Sequence, residues 1–287
     1  MTAHAPQHPD RPAAAPAAGG APAATHTAAG DRPGTHRGQT GTTEVIVVSG
    51  GHGVPASRTA DLPADATVIA ADSGLDTAMR LGLTVDLVVG DMDSVNPSTL
   101  AAAERDGVEV QRHPTAKDAT DLALALDAAC ALKPRTVTVL GGDGGRLDHL
   151  LAAAWLLAAE RYAASRLVGL FGPATLTVIR QAAALSGQPG ELVTLLAAHG
   201  EACGVHTDGL AYPLAGQTLR PGSSLGVSNT LTGTRATVQL SAGVLLAIQP
   251  GLEAAHPGTQ PTTTGTQPTT TGTQPTTTGG HPRGGHR

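Results

Sequence analysis

Hydrophobic residues in the first half of the chain fall in short runs rich in Val and Ala, and patterns of helical spacing separate these runs. The runs predict strands at 44–49, 67–71, 85–89, 108–112 and 136–140. Helices are predicted at 75–81, 97–106, 119–132 and 147–161. The last of these carries an apolar side made of Leu150, Leu151, Ala154, Trp155 and Ala158. Continuous apolar strands that alternate with helices are typical of an α/β domain whose parallel sheet is covered on both faces.

The pattern changes at about Arg166. From there to Gln249 the chain has short strand-like runs separated by turns rich in Gly and Pro, without an amphipathic helix. This predicts a second domain, a small antiparallel β-sandwich. The predicted domains are therefore 44–165 and 166–250.

Both ends of the chain differ from this folded part. Residues 1–43 are mostly Ala, Pro, Gly, Thr and His, and residues 258–278 repeat GTQPTTT three times. Segments so poor in large apolar side chains bury too little surface to fold. We therefore expect disordered tails at 1–43 and 251–287.

Charge narrows the functional classes. The chain has a formal net charge of −5, and each tail contributes +1, which leaves −7 on residues 44–250. Without a basic patch interleaved with aromatic residues, extended nucleic-acid binding is not expected.

The longest apolar stretch, Leu150 to Ala159, is far shorter than the roughly 20 residues needed to span a bilayer. Cys130 and Cys203 form no CxxC pattern, so we expect reduced thiols in a cytoplasmic protein.

Aspartates follow several of the predicted strands. Asp72 lies in ADSG, and Asp91 and Asp93 lie in GDMDS. The carboxyl ends of parallel strands meet at one edge of a sheet, where α/β proteins bind ligands. Carboxylates gathered there repel one another unless a divalent cation and its phosphates complete the site. The pattern predicts magnesium-dependent phosphoryl-type transfer, although GDMDS taken alone is equally typical of a turn.

Two further motifs extend this predicted site. In KDATD, Asp118 is interpreted as a helix N-cap, Asp121 as a metal ligand and Lys117 as a counter-charge for phosphate. In GGDGGRLDH, the glycines, Gly144 and Gly145 among them, offer backbone N–H groups to an anion at a helix start. Arg146 would neutralise charge on the transferred group, and Asp148 would bind metal or orient the nucleophile.

The predicted β-sandwich has candidates for binding a flat heterocycle. Tyr212 in GLAYPL could stack on such a ring, and Ser228 and Asn229 could hydrogen-bond to a ring nitrogen or amine. Composition alone favours a plainer interpretation, which is a β-turn with a half-buried tyrosine.

Taken in order, the motifs ADSG, GDMDS, KDATD, GGDGGRLDH, GLAYPL and LGVSNT resemble those of the thiamine pyrophosphokinase (thiamine diphosphokinase) family. The resemblance spans about 44–250. It implies a Rossmann-like catalytic domain, a C-terminal β-sandwich that binds thiamine, and a homodimer with sites between subunits.

The resemblance also implies roles for individual residues. The magnesium-binding carboxylates would be Asp72, Asp91, Asp93 and Asp121. Arg146 and Asp148 match the GRxD pair at the reacting phosphates, and Ser228 and Asn229 match the pair that contacts thiamine. Tyr212 stands where relatives carry an aromatic residue, often Trp, that stacks on thiamine from the same or the partner subunit.

The implied reaction transfers diphosphate from ATP to the hydroxyl of thiamine and gives thiamine diphosphate and AMP. Asp148 and Asp93 both remain candidates for handling the hydroxyl proton. Two alternatives stay open on the sequence: a magnesium-dependent nucleotidyl or sugar-nucleotide transferase, and a non-catalytic thiamine or nucleotide sensor.

Overall fold

The structure, a computed structural model, describes residues 44–251 apart from 52–53, 61, 117 and 143–145. The two predicted tails therefore lie outside the described residues, except for Gly251. The predicted phosphate-binding residues Lys117, Gly144 and Gly145 also lie outside them.

Strands and helices alternate in the first half, close to the predicted bounds. The strands are β1 (Glu44–Val48), β2 (Thr67–Ala71), β3 (Leu87–Gly90), β4 (Glu109–Arg112) and β5 (Thr136–Gly141). The helices are α1 (Gly74–Arg80), α2 (Pro97–Arg105), α3 (Asp121–Ala131) and α4 (Leu147–Leu157). Within the described ranges, no helix combines the length and the apolar character needed to cross a membrane.

The second half consists of strands. They are β6 (Arg166–Phe171), β7 (Ala174–Ile179), β8 (Ala182–Ser186), β9 (Leu192–Ala197), β10 (Ala202–Asp208), β11 (Ala215–Leu219), β12 (Asn229–Thr230), β13 (Arg235–Gln239) and β14 (Leu245–Gln249).

Ten strands form one mixed sheet in the order β12-β9-β14-β7-β6-β5-β1-β2-β3-β4. The strands from β6 to β4 in this order pair in parallel, and the strands from β12 to β7 pair with antiparallel neighbours. A separate antiparallel sheet has the order β11-β10-β13-β8. The predicted fold class, a parallel α/β sheet followed by an antiparallel β-sandwich, is confirmed. The large sheet continues past residue 165, because β6 pairs in parallel with β5.

Three hydrophobic clusters hold these layers together. One packs α3 and α4 against one face of the large sheet, and a second packs α1 and α2 against the other face. The third fills the space between the two sheets, with Leu195 of β9 on one side and Val238 of β13 on the other. Since helices cover both faces, the central strands β1 and β2 are apolar along nearly their whole length.

The buried side of α4 differs from the prediction. Its buried residues are Ala153, Ala154 and Leu157. Leu151 and Trp155, which were predicted to lie on the buried side, are 51% and 42% exposed, and Leu147 is 67% exposed. The prediction was wrong at these two positions because α4 is apolar on most of its circumference, so periodicity does not select the face that meets the sheet.

Candidate active site

Three of the predicted metal ligands meet at the carboxyl edge of the large sheet. The adjacent parallel strands β2 and β3 end at Ala71 and Gly90, and Asp72, Asp91 and Asp93 follow them directly. One oxygen from each of the three carboxylates lies within 4.8 Å of the others. This spacing is suited to shared coordination of one cation.

Asp72 is the most constrained residue of this cluster. It is buried, its φ of 46° lies in the left-handed region, and its backbone N–H donates to Val89 O over 2.9 Å. Its Oδ1 has no hydrogen-bond partner among the described residues. Burial raises the pKa of Asp72, and the nearby carboxylates of Asp121 and Asp93 raise it further. A buried carboxylate oxygen of this kind fits a hard divalent cation such as magnesium.

The Asp91–Asp93 pair is brought together by a turn. Met92 between them has a φ of 66°, and the Asp93 backbone N–H donates to Asp91 Oδ1 over 3.3 Å. Ser94 Oγ donates to Asp93 Oδ1 over 2.8 Å. The two side chains therefore converge through a turn with a left-handed residue at its centre.

Asp121 opens α3 beside the cluster. A Cβ atom at Gly90 would lie 3.0 Å from Asp121 Oδ1 and 3.1 Å from Asp72 Cβ, so both acids occupy the space that a side chain at Gly90 would need. The N-cap of α3 is Thr120, whose side chain accepts from the Ala123 N–H. The prediction that Asp118 caps this helix is wrong, since the helix begins three residues later and Asp118 is exposed.

Arg146 and Asp148 form an ion pair at the start of α4. Arg146 Nε and Nη2 donate to the two Asp148 carboxylate oxygens over 3.1 and 2.6 Å. The hydrogen bond from Arg146 lowers the pKa of Asp148 to about 2. Strand β5 leads into this pair. In the sheet, a single strand, β1, lies between β5 and β2. Two strand spacings are about 10 Å, so the ion pair and the acid cluster follow strands that lie close together in the sheet.

The residues predicted to bind thiamine lie together near β12. Tyr212 is 72% exposed, whereas Asn229 is buried. The Tyr212 backbone N–H donates to Asn229 Oδ1 over 3.0 Å, and Asn229 Nδ2 donates to Tyr212 O over 2.7 Å. Ser228 is exposed, has a φ of 56°, and donates its backbone N–H to Thr194 Oγ1.

The acid cluster and the Tyr212 group are far apart within one chain. Asn229 belongs to β12 and Asp72 follows β2, and seven strand spacings separate these two strands in the sheet. At about 4.8 Å per spacing this is roughly 30 Å along the sheet. The two groups therefore lie well apart along the sheet of one chain.

Two residues of the site were not singled out in the sequence analysis as neighbours of the acids. Ser94 is hydrogen-bonded to Asp93, and Gly90 leaves the space that Asp121 and Asp72 occupy. Both belong to GDMDS, so the motif marked them, but their contacts depend on the turn at Met92 and on the position of α3.

Comparison with known proteins agrees with this geometry. Residues 62–168 match the family model "Thiamin pyrophosphokinase, catalytic domain", and residues 179–245 match "Thiamin pyrophosphokinase, vitamin B1 binding domain". The chain is 26% identical over 189 residues to thiamine pyrophosphokinase of Bacillus subtilis, a match that covers 63% of this chain and 86% of that protein.

Solved structures give the same result. The thiamin pyrophosphokinase of Geobacillus thermodenitrificans superposes with a TM-score of 0.62 at 26% identity, over 72% of this chain and 96% of that one. The enzyme of Candida albicans shares the fold, with a TM-score of 0.58 at 14% identity over 72% of this chain and 89% of that one. The two family models occur in order and together cover more than half of the chain, and the chain therefore belongs to the thiamin pyrophosphokinase family.

Proposed function

We propose that this protein is a thiamine diphosphokinase, which transfers the terminal diphosphate of ATP to the hydroxyl of thiamine and releases thiamine diphosphate and AMP. Membership of the family makes it an enzyme of the transferase class. The observation that carries the proposal is the convergence of Asp72, Asp91 and Asp93 at the sheet edge of a chain with both family domains.

The acid cluster is the proposed metal site. Asp72, Asp91, Asp93 and Asp121 would hold Mg²⁺, which when bound neutralises charge on the triphosphate. The partnerless Oδ1 of Asp72 supports this assignment. The strained backbone at Asp72 keeps that oxygen in place before any ligand arrives.

The start of α4 is the proposed phosphate end of the site. Arg146 stabilises the charge that develops on the transferred group, with help from Lys117 and the N–H groups of Gly144 and Gly145. Asp148 holds the Arg146 guanidinium with two hydrogen bonds. With a pKa of about 2, Asp148 is a poor proton acceptor near neutral pH, which favours a role in orienting Arg146.

The group around β12 is the proposed thiamine end. Tyr212 would stack on a thiamine ring, and its 72% exposure leaves the ring available for that contact. Ser228 and Asn229 complete this end of the site, with Ser228 exposed next to the buried amide.

A second copy of the chain would complete the site. The reacting groups must approach to about 3 Å, whereas roughly 30 Å of sheet separates the two ends within one chain. Two exposed apolar groups support a homodimer. Leu147, Leu151 and Trp155 follow one another along α4, and Tyr212, Leu225 and Val227 lie near β12. We propose that Tyr212 serves the acid cluster of the partner subunit.

The cytoplasm is the proposed compartment. Cys130 and Cys203 are both free thiols, which is the state that a reducing environment maintains.

Product analysis tests the proposed reaction. With ATP, Mg²⁺ and thiamine, we expect AMP and thiamine diphosphate in equal amounts, and no AMP when thiamine is omitted. Asp91→Asn is the matched control, and we expect its turnover to fall about 10²–10³-fold. Release of pyrophosphate would instead identify a nucleotidyl transferase, and binding without any product would identify a sensor.

A further inference from the structure

The side-chain amide of Asn229 forms two hydrogen bonds with the main chain of Tyr212. Asn229 Oδ1 accepts from the Tyr212 N–H, and Asn229 Nδ2 donates to Tyr212 O. This is the pair of bonds that two residues exchange in an antiparallel ladder. A side chain here takes the place of a peptide group, and it fixes the backbone of one exposed residue.

The chain around Tyr212 is held as well. Leu210 and Leu231 form an isolated bridge and are both buried, and the Ala211 N–H donates to Thr230 O over 2.9 Å. On the other side, the Leu214 N–H donates to Thr207 Oγ1 over 2.8 Å. The Tyr212 ring is therefore exposed, while hydrogen bonds hold the backbone on both sides of it in the sequence. Pre-ordering of this kind reduces the entropy lost when a ligand binds.

Asn229 has little capacity left for a ligand. Its Oδ1 also accepts from the Thr230 N–H over 2.9 Å, and only 3% of the residue is exposed. Both acceptor positions of the amide oxygen and one of the two amide hydrogens are used within the protein. Its neighbour Ser228 is exposed by comparison.

We infer that Asn229 is a positioning residue, which acts on thiamine through Tyr212 and not by touching thiamine itself. This inference rests on the proposed function. It assigns the buried amide to the geometry of the stacking residue, and it leaves direct polar contact with thiamine to Ser228.

A double-mutant cycle on Asn229→Ala and Tyr212→Ala tests the inference. We expect each single variant to raise the KM for thiamine about tenfold, because each loses one contact of ordinary strength, and to leave the KM for ATP unchanged. The double variant should be no worse than Tyr212→Ala alone, since Asn229 has nothing left to position. Additive effects, about a hundredfold in the double variant, would mean direct contact and overturn the inference.

Gln249→Ala is the matched control, because it shows whether a general loss of stability alone raises the KM for thiamine. Gln249 is also a buried amide, and its Nε2 donates to Ser186 O over 2.9 Å. We expect both amide variants to lower the melting temperature, but only Asn229→Ala to raise the KM for thiamine. An equal rise in Gln249→Ala would show general destabilisation and contradict the inference.

A second variant covers failure to fold. Asn229→Gln keeps both the amide acceptor and the amide donor on a longer side chain and adds no buried charge, so we expect a smaller rise in KM that again vanishes in the Tyr212→Ala background. If the wild-type protein releases no AMP, the proposed function fails, and the same cycle is then measured on thiamine binding by calorimetry. Absence of thiamine binding would overturn the inference together with the function.

Discussion

Gly90 and Asp121 are so close that a methyl group on Gly90 would lie 3.0 Å from the Asp121 carboxylate oxygen. Gly90 also has a φ of 153°, a backbone conformation that residues with a side chain rarely adopt. Asp121 and Asp72 can therefore approach each other over the end of β3 only because this position has no side chain.

We expect Gly90→Ala to lower kcat about 10²-fold, because displaced carboxylates no longer share one cation. The measurement is AMP release as a function of Mg²⁺ concentration. Gly107→Ala is the control, since Gly107 has a φ of 83° with nothing within 4 Å of the added atom. Equal turnover in the two variants would contradict the assignment of Gly90.

Asp72→Asn should increase stability while it removes activity. Burial raises the pKa of Asp72 in the folded protein, so ionisation of this group opposes folding. Folding stability is therefore lost as pH rises from the ordinary aspartate value of 3.8 through the raised pKa. In EDTA at pH 7 we expect a higher melting temperature for the variant than for the wild type, and a smaller difference at pH 4.

The exposed Asp106 gives the control for Asp72, and Asp106→Asn should leave the melting temperature unchanged at both pH values. A lower melting temperature for Asp72→Asn at pH 7 would show that the hydrogen bonds from Ser73 and Ser94 to its carboxylate outweigh the cost of burial.

Asp148→Asn should lower kcat without changing its pH dependence between pH 5 and 8. Asp148 has a pKa of about 2, so it stays ionised over this whole range and orients Arg146. Steady-state rates across that range give the measurement. Loss of an acid limb from the profile would identify Asp148 as the proton acceptor after all.

Mixing two impaired variants, assayed at a thiamine concentration below the wild-type KM, tests whether the site lies between subunits. One chain carries Asp91→Asn, and the other combines Tyr212→Ala with Ser228→Ala. After unfolding and refolding together, random pairing gives one intact site in each mixed dimer, and we expect about a quarter of wild-type activity. Each variant refolded alone is the control. Absence of recovery, with mixed dimers detected by mass spectrometry, would place the site within one chain.

The sequence predicted the α/β half well because its signals are local. The bounds of β2 are found as predicted, since a buried parallel strand is a continuous apolar run. The meeting of Asp72 with Asp91 follows from the same pattern, because neighbouring parallel strands end at one edge.

Other features depend on contacts that the order of residues does not reveal. Trp155 is exposed because α4 is apolar on most of its circumference and meets the sheet through Ala153, Ala154 and Leu157. The burial of Asn229 could not be predicted, because this residue falls in a strand of only two residues, too short to give any periodic signal. Thr120 and Asp118 are both acceptable N-caps, so composition does not decide where α3 begins.

Seven strand spacings between β12 and β2 also have a consequence for how activity responds to dilution. If Tyr212 serves the acid cluster of the partner subunit, as proposed, a chain works only while it is paired. Below the dissociation constant of the pair, turnover per litre should fall with the square of protein concentration, so abundance in the cell would act as a control on output.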